Sequence, residues 1–436
     1  MGIECLAYPL PEQVKLAVYS GDLEKALRLI STLMQQNAPS YVKERLSYEV
    51  ERLRRLQKDY PYSRSEAISK LKEELEGFEE KELDAWEEMG LVDERQINGE
   101  QRFFASFVDN LLFRRELGLK KKLKVTDHSR NIVNESVLRI LKGEKKTYRV
   151  TASIHIRVKK PGRYRVWLPV PIENDQIENV KILRTEPGEG ILSWGPQRTI
   201  YVEGDNQDFD VEFQYDVSEW RPGEAASTPP PADYLSEKLP HVRFTPFLRR
   251  LTAEVIEGAP DQRDKALKIY RWITENVDYA YVPEYCLIDN ISEYAAINGR
   301  GDCGVQALLF ITMCRIAGIP AKWQSGWFIS PVRTSPHDWA QVYVDGGWIP
   351  VDPSFGGSRK TDDRLRGFYF GGLDGFRMTA NEDFQTELFP RKTYPRSDPV
   401  DNQRGEVENE TRNLYYDEFD WSIQVKGFQA LRSTIL

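Results

Sequence analysis

The chain has 436 residues, of which 40% are hydrophobic and 29% charged, with a formal net charge of −8 at pH 7. That length supports two or three domains with real cores, and the mildly acidic balance argues against nucleic acid as a partner. No stretch approaches the ~18 consecutive apolar residues of a membrane span, so no membrane is expected either.

Residues 1–20 lack a basic segment followed by an apolar run. They are broken at Pro9 and Pro11 and carry Glu4, Glu12 and Lys15. No secretory signal is read there, and the expected setting is cytoplasmic. Residues 12 to about 142 read as helices, at 13–20, 22–36, 41–58 and 65–89. In the second of these, Leu23, Ala26, Leu27, Ile30 and Leu33 recur at spacings of three and four. Lys120, Lys121, Lys122 and Lys124, beside Arg114 and Arg115, read as a solvated helix end.

From Lys146 the pattern changes. Residues 147–158, 163–169, 180–185, 199–202 and 209–217 are short runs rich in Val, Ile, Tyr and Phe. Val150, Ala152, Ile154, Ile156 and Val158 alternate with their neighbours, and Pro-Gly turns separate the runs. This predicts an antiparallel β-sandwich. Residues 225–231, Ala-Ala-Ser-Thr-Pro-Pro-Pro, read as a linker. Helices around 261–276 and 304–317 follow, then strands from 322 to 351 and a last strand at 421–428. The expected fold class is α+β. Its domains are helical at 1–145, β-sandwich at 146–224 and catalytic at 232–436, the last with a C-terminal extension.

Four cysteines, Cys5, Cys286, Cys303 and Cys314, contain no Cys-x-x-Cys pair and make no disulfide framework at this length. The four histidines, His128, His155, His241 and His337, are scattered, and none opens a His-Glu-x-x-His motif. No metal site is expected. No phosphate-binding or dinucleotide glycine loop occurs, so no cofactor is expected.

One constellation carries chemistry. Val305, Leu308, Leu309, Thr312, Met313 and Ile316 mark a buried helix face that ends at Gly318 and Pro320. Asp302 is the candidate N-cap, which puts Cys303 in the first helical turn. There the positive end of the helix dipole favours a thiolate, while the cap carboxylate opposes it. His337 opens a hairpin that turns at Asp345-Gly346. A two-residue turn pairs Val344 with Gly347, hence Trp339 with Asp352, and makes His337 the diagonal neighbour of Asp352 on one face. Ala340, Val342, Val344, Ile349 and Val351 fall on the other face, as core. A carboxylate beside an imidazole fixes its tautomer and supports the imidazolium. A helix-borne Cys, then a strand-borne His, then an acid on the next strand is the order of papain-like triads. Cys314 lies about three turns beyond Cys303 and packs as core. His155 sits in an alternating strand and reads as structural.

Gly301-Asp-Cys303, Ala307-Leu308, Arg315-Ile-Ala-Gly-Ile-Pro-Ala321, Gly326, His337-x-Trp339 and Gly347-Trp-Ile-Pro-Val-Asp-Pro353 resemble the core motif of the transglutaminase-like superfamily, over about residues 265–356. The preceding helices and β-region also resemble bacterial transglutaminase-like proteins. The resemblance implies a papain-like core, with a nucleophile-bearing helix packed on an antiparallel sheet. It implies Cys303 as nucleophile, His337 as base and Asp352 as orienting acid. Many members carry Glu where Gln341 stands, so the supporting contact at that position stays open. Trp339 and Gln341 are expected beside the triad. The Cys303 N–H is one expected oxyanion donor, and a second is sought among Tyr279, Tyr281 and Tyr285, with Tyr285 favoured. Trp323, Trp327, Trp339 and Trp348, with residues 372–378, suggest an aromatic-rich cleft for an extended peptide. The expected reaction is acyl transfer at an amide or peptide carbonyl through a Cys303 thioester, resolved mainly by water, as in a cysteine protease or amidase. Protein-glutamine transamidation and a non-catalytic peptide-binding module are the alternatives. The expected partner is a peptide or protein substrate.

Overall fold

The computed structural model describes residues 2–122 and 128–435. Contacts divide the chain into Met1–Thr126 with Ala280–Asp289, and Asp127–Tyr279 with Asn290–Leu436. Among the described residues no helix is long and apolar enough to cross a membrane.

The first unit contains helices α1 (Glu12–Tyr19), α2 (Leu23–Met34), α3 (Ser40–Asp59), α4 (Arg64–Glu74) and α5 (Glu80–Glu88), strands β1 (Glu94–Ile97) and β2 (Glu100–Phe103), and α6 (Phe107–Phe113). Asp22 caps α2 by accepting the Lys25 N–H. The stretch 65–89, read from sequence as one helix, is two. The chain leaves α4 at Leu75, and a capping box between Glu79 and Glu82 starts α5. The β1–β2 hairpin lies inside the region read as helical; Asn98 and Gly99, with φ of 51° and 84°, form its turn. Arg52 of α3 bonds the carbonyls of Cys286 and Leu287 and the carboxylate of Asp289, which ties the 280–289 segment to this unit. Lys121 pairs with Asp109; Lys124 lies outside the described residues.

The second unit begins with α7 (Ser129–Leu141). It continues through β3 (Glu144–Val158), β4 (Tyr164–Pro169), β5 (Ile177–Glu186), β6 (Ile191–Leu192), β7 (Thr199–Gly204) and β8 (Asp208–Ser218). Then come α8 (Pro246–Val255), α9 (Gln262–Asn276), β9 (Asp278–Tyr279), α10 (Ile291–Asn298), β10 (Arg300–Gly301) and α11 (Cys303–Ile316). The core strands are β11 (Ala321–Ile329), β12 (Thr334–Val344) and β13 (Gly347–Val351), followed by α12 (Pro353–Gly357), α13 (Asp363–Phe368) and β14 (Arg377–Asn381). The tail adds β15 (Glu406–Glu408), β16 (Asn413–Leu414) and β17 (Phe419–Ile435).

Two sheets make the sandwich, ordered β17-β3-β8-β5 and β16-β15-β4-β7-β6. A third, antiparallel sheet is ordered β13-β12-β11-β14. The sandwich and the α11-bearing core lie in one unit, a different partition from the sequence boundaries at 146–224 and 232–436. Residues 146–224 cannot pair all their own edges, so β15 and β17 return from the tail to pair β4 and β3. Trp327, Ile329, Met378 and Ala380 of the third sheet join the same buried cluster as Val150, Ile154, Val166 and Phe213. The segment read as a linker is also engaged, with Ala226 exchanging backbone bonds with Trp348.

The β12–β13 register runs from Val344↔Gly347 to Ala340↔Val351, as its two-residue turn dictates. Gly326 of β11 passes so close to β14 that a Cβ there would collide with the Met378 carbonyl oxygen. Gly326→Ala is therefore expected to destabilise the protein by about 1–3 kcal/mol, the range for overpacking a tight contact. Urea unfolding at neutral pH measures this, and an unchanged midpoint would show that the strands separate freely.

Candidate active site

Helix α11 starts where Asp302 accepts the Val305 N–H at 3.0 Å, and Cys303 is its first residue. Residues Cys303 to Arg315 are all buried. The one-faced pattern read from sequence understates this, because α8, α9, α10 and α12 pack round the helix together with β11 and β12. The Cys303 residue retains 9% exposure. Its Sγ donates to Asp338 Oδ2 at 3.2 Å.

On β12, His337 stacks against Trp339 and Phe355, with ring centroids 5.8 and 4.6 Å away. Its Nε2 lies 2.7 Å from Asp352 Oδ2. Asp352 follows β13 directly and caps α12, its Oδ1 accepting the Phe355 N–H at 2.8 Å. Arg377 Nη1 of β14 reaches the same Asp352 Oδ2 at 2.8 Å, and its Nη2 reaches Asp374 Oδ2 at 3.1 Å. The Tyr369 hydroxyl donates to Asp374 Oδ2 at 3.1 Å. His337, Asp352, Arg377, Asp374 and Tyr369 thus form one buried chain.

Electrostatics sets the resting protonation. Burial raises the Asp352 carboxyl, but His337, Arg377 and the Phe355 N–H outweigh it and hold the group below its ordinary value. Burial lowers the His337 imidazole; Asp352 opposes this and Arg377 reinforces it, so the ring is held below its ordinary pKa. Burial, then the carboxylates of Asp338 and Asp302, push the Cys303 thiol well above its usual value. The helix dipole therefore does not yield a resting thiolate, because desolvation and two acids outweigh a half-charge at the helix end. With Nε2 committed to Asp352, Nδ1 is the ring nitrogen left to take a proton. A neutral imidazole held in this way can act as a general base toward a group placed at Nδ1.

The other expected site residues divide. Trp339 is buried and donates from Nε1 to Gln324 Oε1 at 2.8 Å. Gln341 is buried, and among the described residues no donor reaches its Oε1. Tyr285 lies in the first unit, in the 3-10 turn Tyr285–Leu287, whose Cys286 carbonyl Arg52 bonds. Of the three tyrosines considered, it is Tyr279 whose backbone pairs with Gly301, two residues before Cys303. Trp323, Trp327, Trp339, Trp348 and residues 372–378 are buried, which makes them core rather than the walls of an aromatic cleft. Cys314 is fully buried, as read from its helical position.

Asp338, Arg377 and Gln403 were not singled out by the sequence. Asp338 is adjacent to His337, but strand alternation directs attention away from it, to the opposite face. Gln403 donates from Nε2 to Asp338 Oδ1 at 2.7 Å and comes from a tail that carries no periodic signal.

Residues 249–353 match the transglutaminase-like superfamily. A candidate cysteine protease from Cytophaga hutchinsonii is similar in structure, with 15% identity and a TM-score of 0.41 over 65% of this chain and 91% of that one. The periplasmic domain of TgpA from Pseudomonas aeruginosa is similar at 12% identity and a TM-score of 0.30, over 55% of this chain and 97% of its own. No curated protein matches the sequence.

Proposed function

We propose that this chain is a thiol-dependent acyl-transfer enzyme acting on amide or peptide carbonyls. Cys303 is the nucleophile, His337 the general base and Asp352 the group that orients it. One observation carries the reading: the buried 2.7 Å pair of His337 Nε2 and Asp352 Oδ2, on a hairpin packed against the helix that begins at Cys303. A bland core histidine has no need of a buried, ionised carboxylate on one ring nitrogen.

The chemistry follows from those positions. The Cys303 sulfur bonds to the carbonyl carbon while its proton passes to His337 Nδ1. Asp352 holds Nε2–H and supports the imidazolium. The Cys303 N–H, at the start of α11, is the backbone donor available to the developing oxyanion. Collapse breaks the C–N bond, and His337 returns the proton to the departing amine. Water, deprotonated by the same imidazole, then opens the thioester to an acid. Because the thiol is neutral at rest, proton transfer accompanies attack instead of preceding it.

Hydrolysis is the preferred outcome, since a thioester partitions to water unless a built amine site excludes it. The test is to incubate the protein with a library of amide-containing peptides and a labelled primary amine, and to compare products by mass spectrometry. Acid products are expected to predominate. A predominance of amine adduct at millimolar amine would make the protein a transamidase. Absence of both products would leave a peptide-binding module.

A further inference from the structure

We infer that Asp338 is a positioning residue that holds the Cys303 thiol proton and, by its own ionisation, decides when that thiol can be deprotonated. The inference deepens the reading above and rests on Cys303 being the nucleophile.

Asp338 Oδ2 accepts the thiol at 3.2 Å, and its Oδ1 accepts Gln403 Nε2 at 2.7 Å. That amide also reaches the carbonyls of His337 at 3.0 Å and Gly326 at 3.1 Å, so it is clamped to the backbone of two strands. The carboxyl is therefore held against the sulfur and cannot swing away without breaking the clamp. Behind it stands a second acid. Asp401 is 1% exposed, and its Oδ2 accepts the hydroxyl of Ser325, the cross-strand partner of Asp338. Among the described residues no separate donor group reaches Asp401 Oδ1. Through Ser325, Asp401 stands behind Asp338, and its charge raises the Asp338 carboxyl.

The groups facing Asp338 come from the start of α11 and from the tail, while His337, next to it on the strand, points to the opposite face. The start of α11 brings Cys303 and Asp302. The tail brings Gln403, Asp401 and Asp398, with Arg404 3.6 Å from Asp398 and Arg396 bonded to the Asp401 carbonyl. Burial, then Asp401 and Asp302, push the Asp338 carboxyl well above its usual range, and the thiol contact recovers only part of this.

The switch follows from polarity. An ionised Asp338 accepts the S–H and places a negative charge beside the sulfur, which opposes the thiolate. A protonated Asp338 reverses the contact and donates to the thiolate, as a charge-assisted bond. His337 must be neutral to act, and its lowered pKa keeps it so above a mildly acidic pH. Asp338 must be protonated, and its raised pKa keeps it so to a higher pH than an ordinary carboxyl. Protonation of His337 is therefore expected to lower activity as the pH falls, and ionisation of Asp338 to lower it as the pH rises.

The test is the rate of Cys303 alkylation by iodoacetamide, followed by peptide mapping of the full chain from about pH 5 to 9. In Asp338→Asn the amide imitates the protonated acid. At the alkaline end of the range, where Asp338 is ionised, alkylation is expected to rise about tenfold, the effect of removing one close like charge, and the thiol titration to move to lower pH. In Asp401→Asn the charge that raises the Asp338 carboxyl is removed, so Asp338 ionises at lower pH and alkylation is expected to slow. Opposite shifts in the two variants, both with cooperative melts, support the inference. Equal rates, or shifts in one direction, overturn it and leave the cluster structural. If Asp338→Asn does not fold, Asp401→Asn alone decides: slower supports, unchanged overturns. Alkylation reads the thiol and not turnover, so the result stands or falls separately from the acyl-transfer reading.

Discussion

Cys303→Ala is expected to remove thiol-dependent acyl transfer, lowering turnover by at least about 10⁴-fold, since loss of a nucleophile leaves only binding and oxyanion contributions. The fold should persist. The substitution deletes one sulfur atom at a helix start, a loss of roughly 1 kcal/mol, far below the whole stability of a domain. Cys314→Ala is the control. It lies on the same helix, is fully buried and faces only core. Rates of peptide-amide cleavage for the two variants, each with a melting curve, distinguish a nucleophile from a packing cysteine. Wild-type turnover in Cys303→Ala would remove the triad from consideration.

The largest effect on stability is expected at Arg377. Its guanidinium is fully buried, forms ion pairs with Asp352 at 2.8 Å and Asp374 at 3.1 Å, and lies 4.3 Å from the Phe355 ring centroid and 5.3 Å from that of Trp339. Arg377→Met leaves two carboxylates buried without their cation, which costs about 3–5 kcal/mol. The pH dependence gives the signature. Asp352 is held below its ordinary pKa in the native state. A depressed carboxyl contributes stability above its unfolded pKa and loses it as the pH falls through the folded value. The gap between wild type and Arg377→Met should therefore be widest near neutral pH and narrow in acid, as Asp352 takes up a proton. Urea midpoints at about pH 7 and pH 4 measure it. A gap below about 1 kcal/mol at neutral pH, or one that does not change with pH, would mean that Arg377 does not support the carboxylate.

What was legible in the sequence is what local rules decide. The N-cap at Asp302, the start of α11 at Cys303 and the turn at Asp345-Gly346 each depend on a few adjacent residues. The apposition of His337 and Asp352 follows from that turn and from the two-residue period of strands, with no knowledge of the rest of the chain. The alternation of Val150 to Val158 likewise marks a sheet face, though not what covers it. Tertiary structure alone decided the rest. The sandwich draws two edge partners from the far end of the chain, because unpaired edges must be satisfied by whichever strands reach them. Arg377 meets Asp352 only because β14 pairs β11. Gln403 and Asp401 reach Asp338 through a tail without periodicity, so no spacing rule could point to them. The protonation of Cys303 shows this limit most clearly. A helix dipole is a local property that sequence can announce. Desolvation and the approach of Asp338 exist only once the helix has been buried against the sheet, and in a buried site they outweigh the dipole.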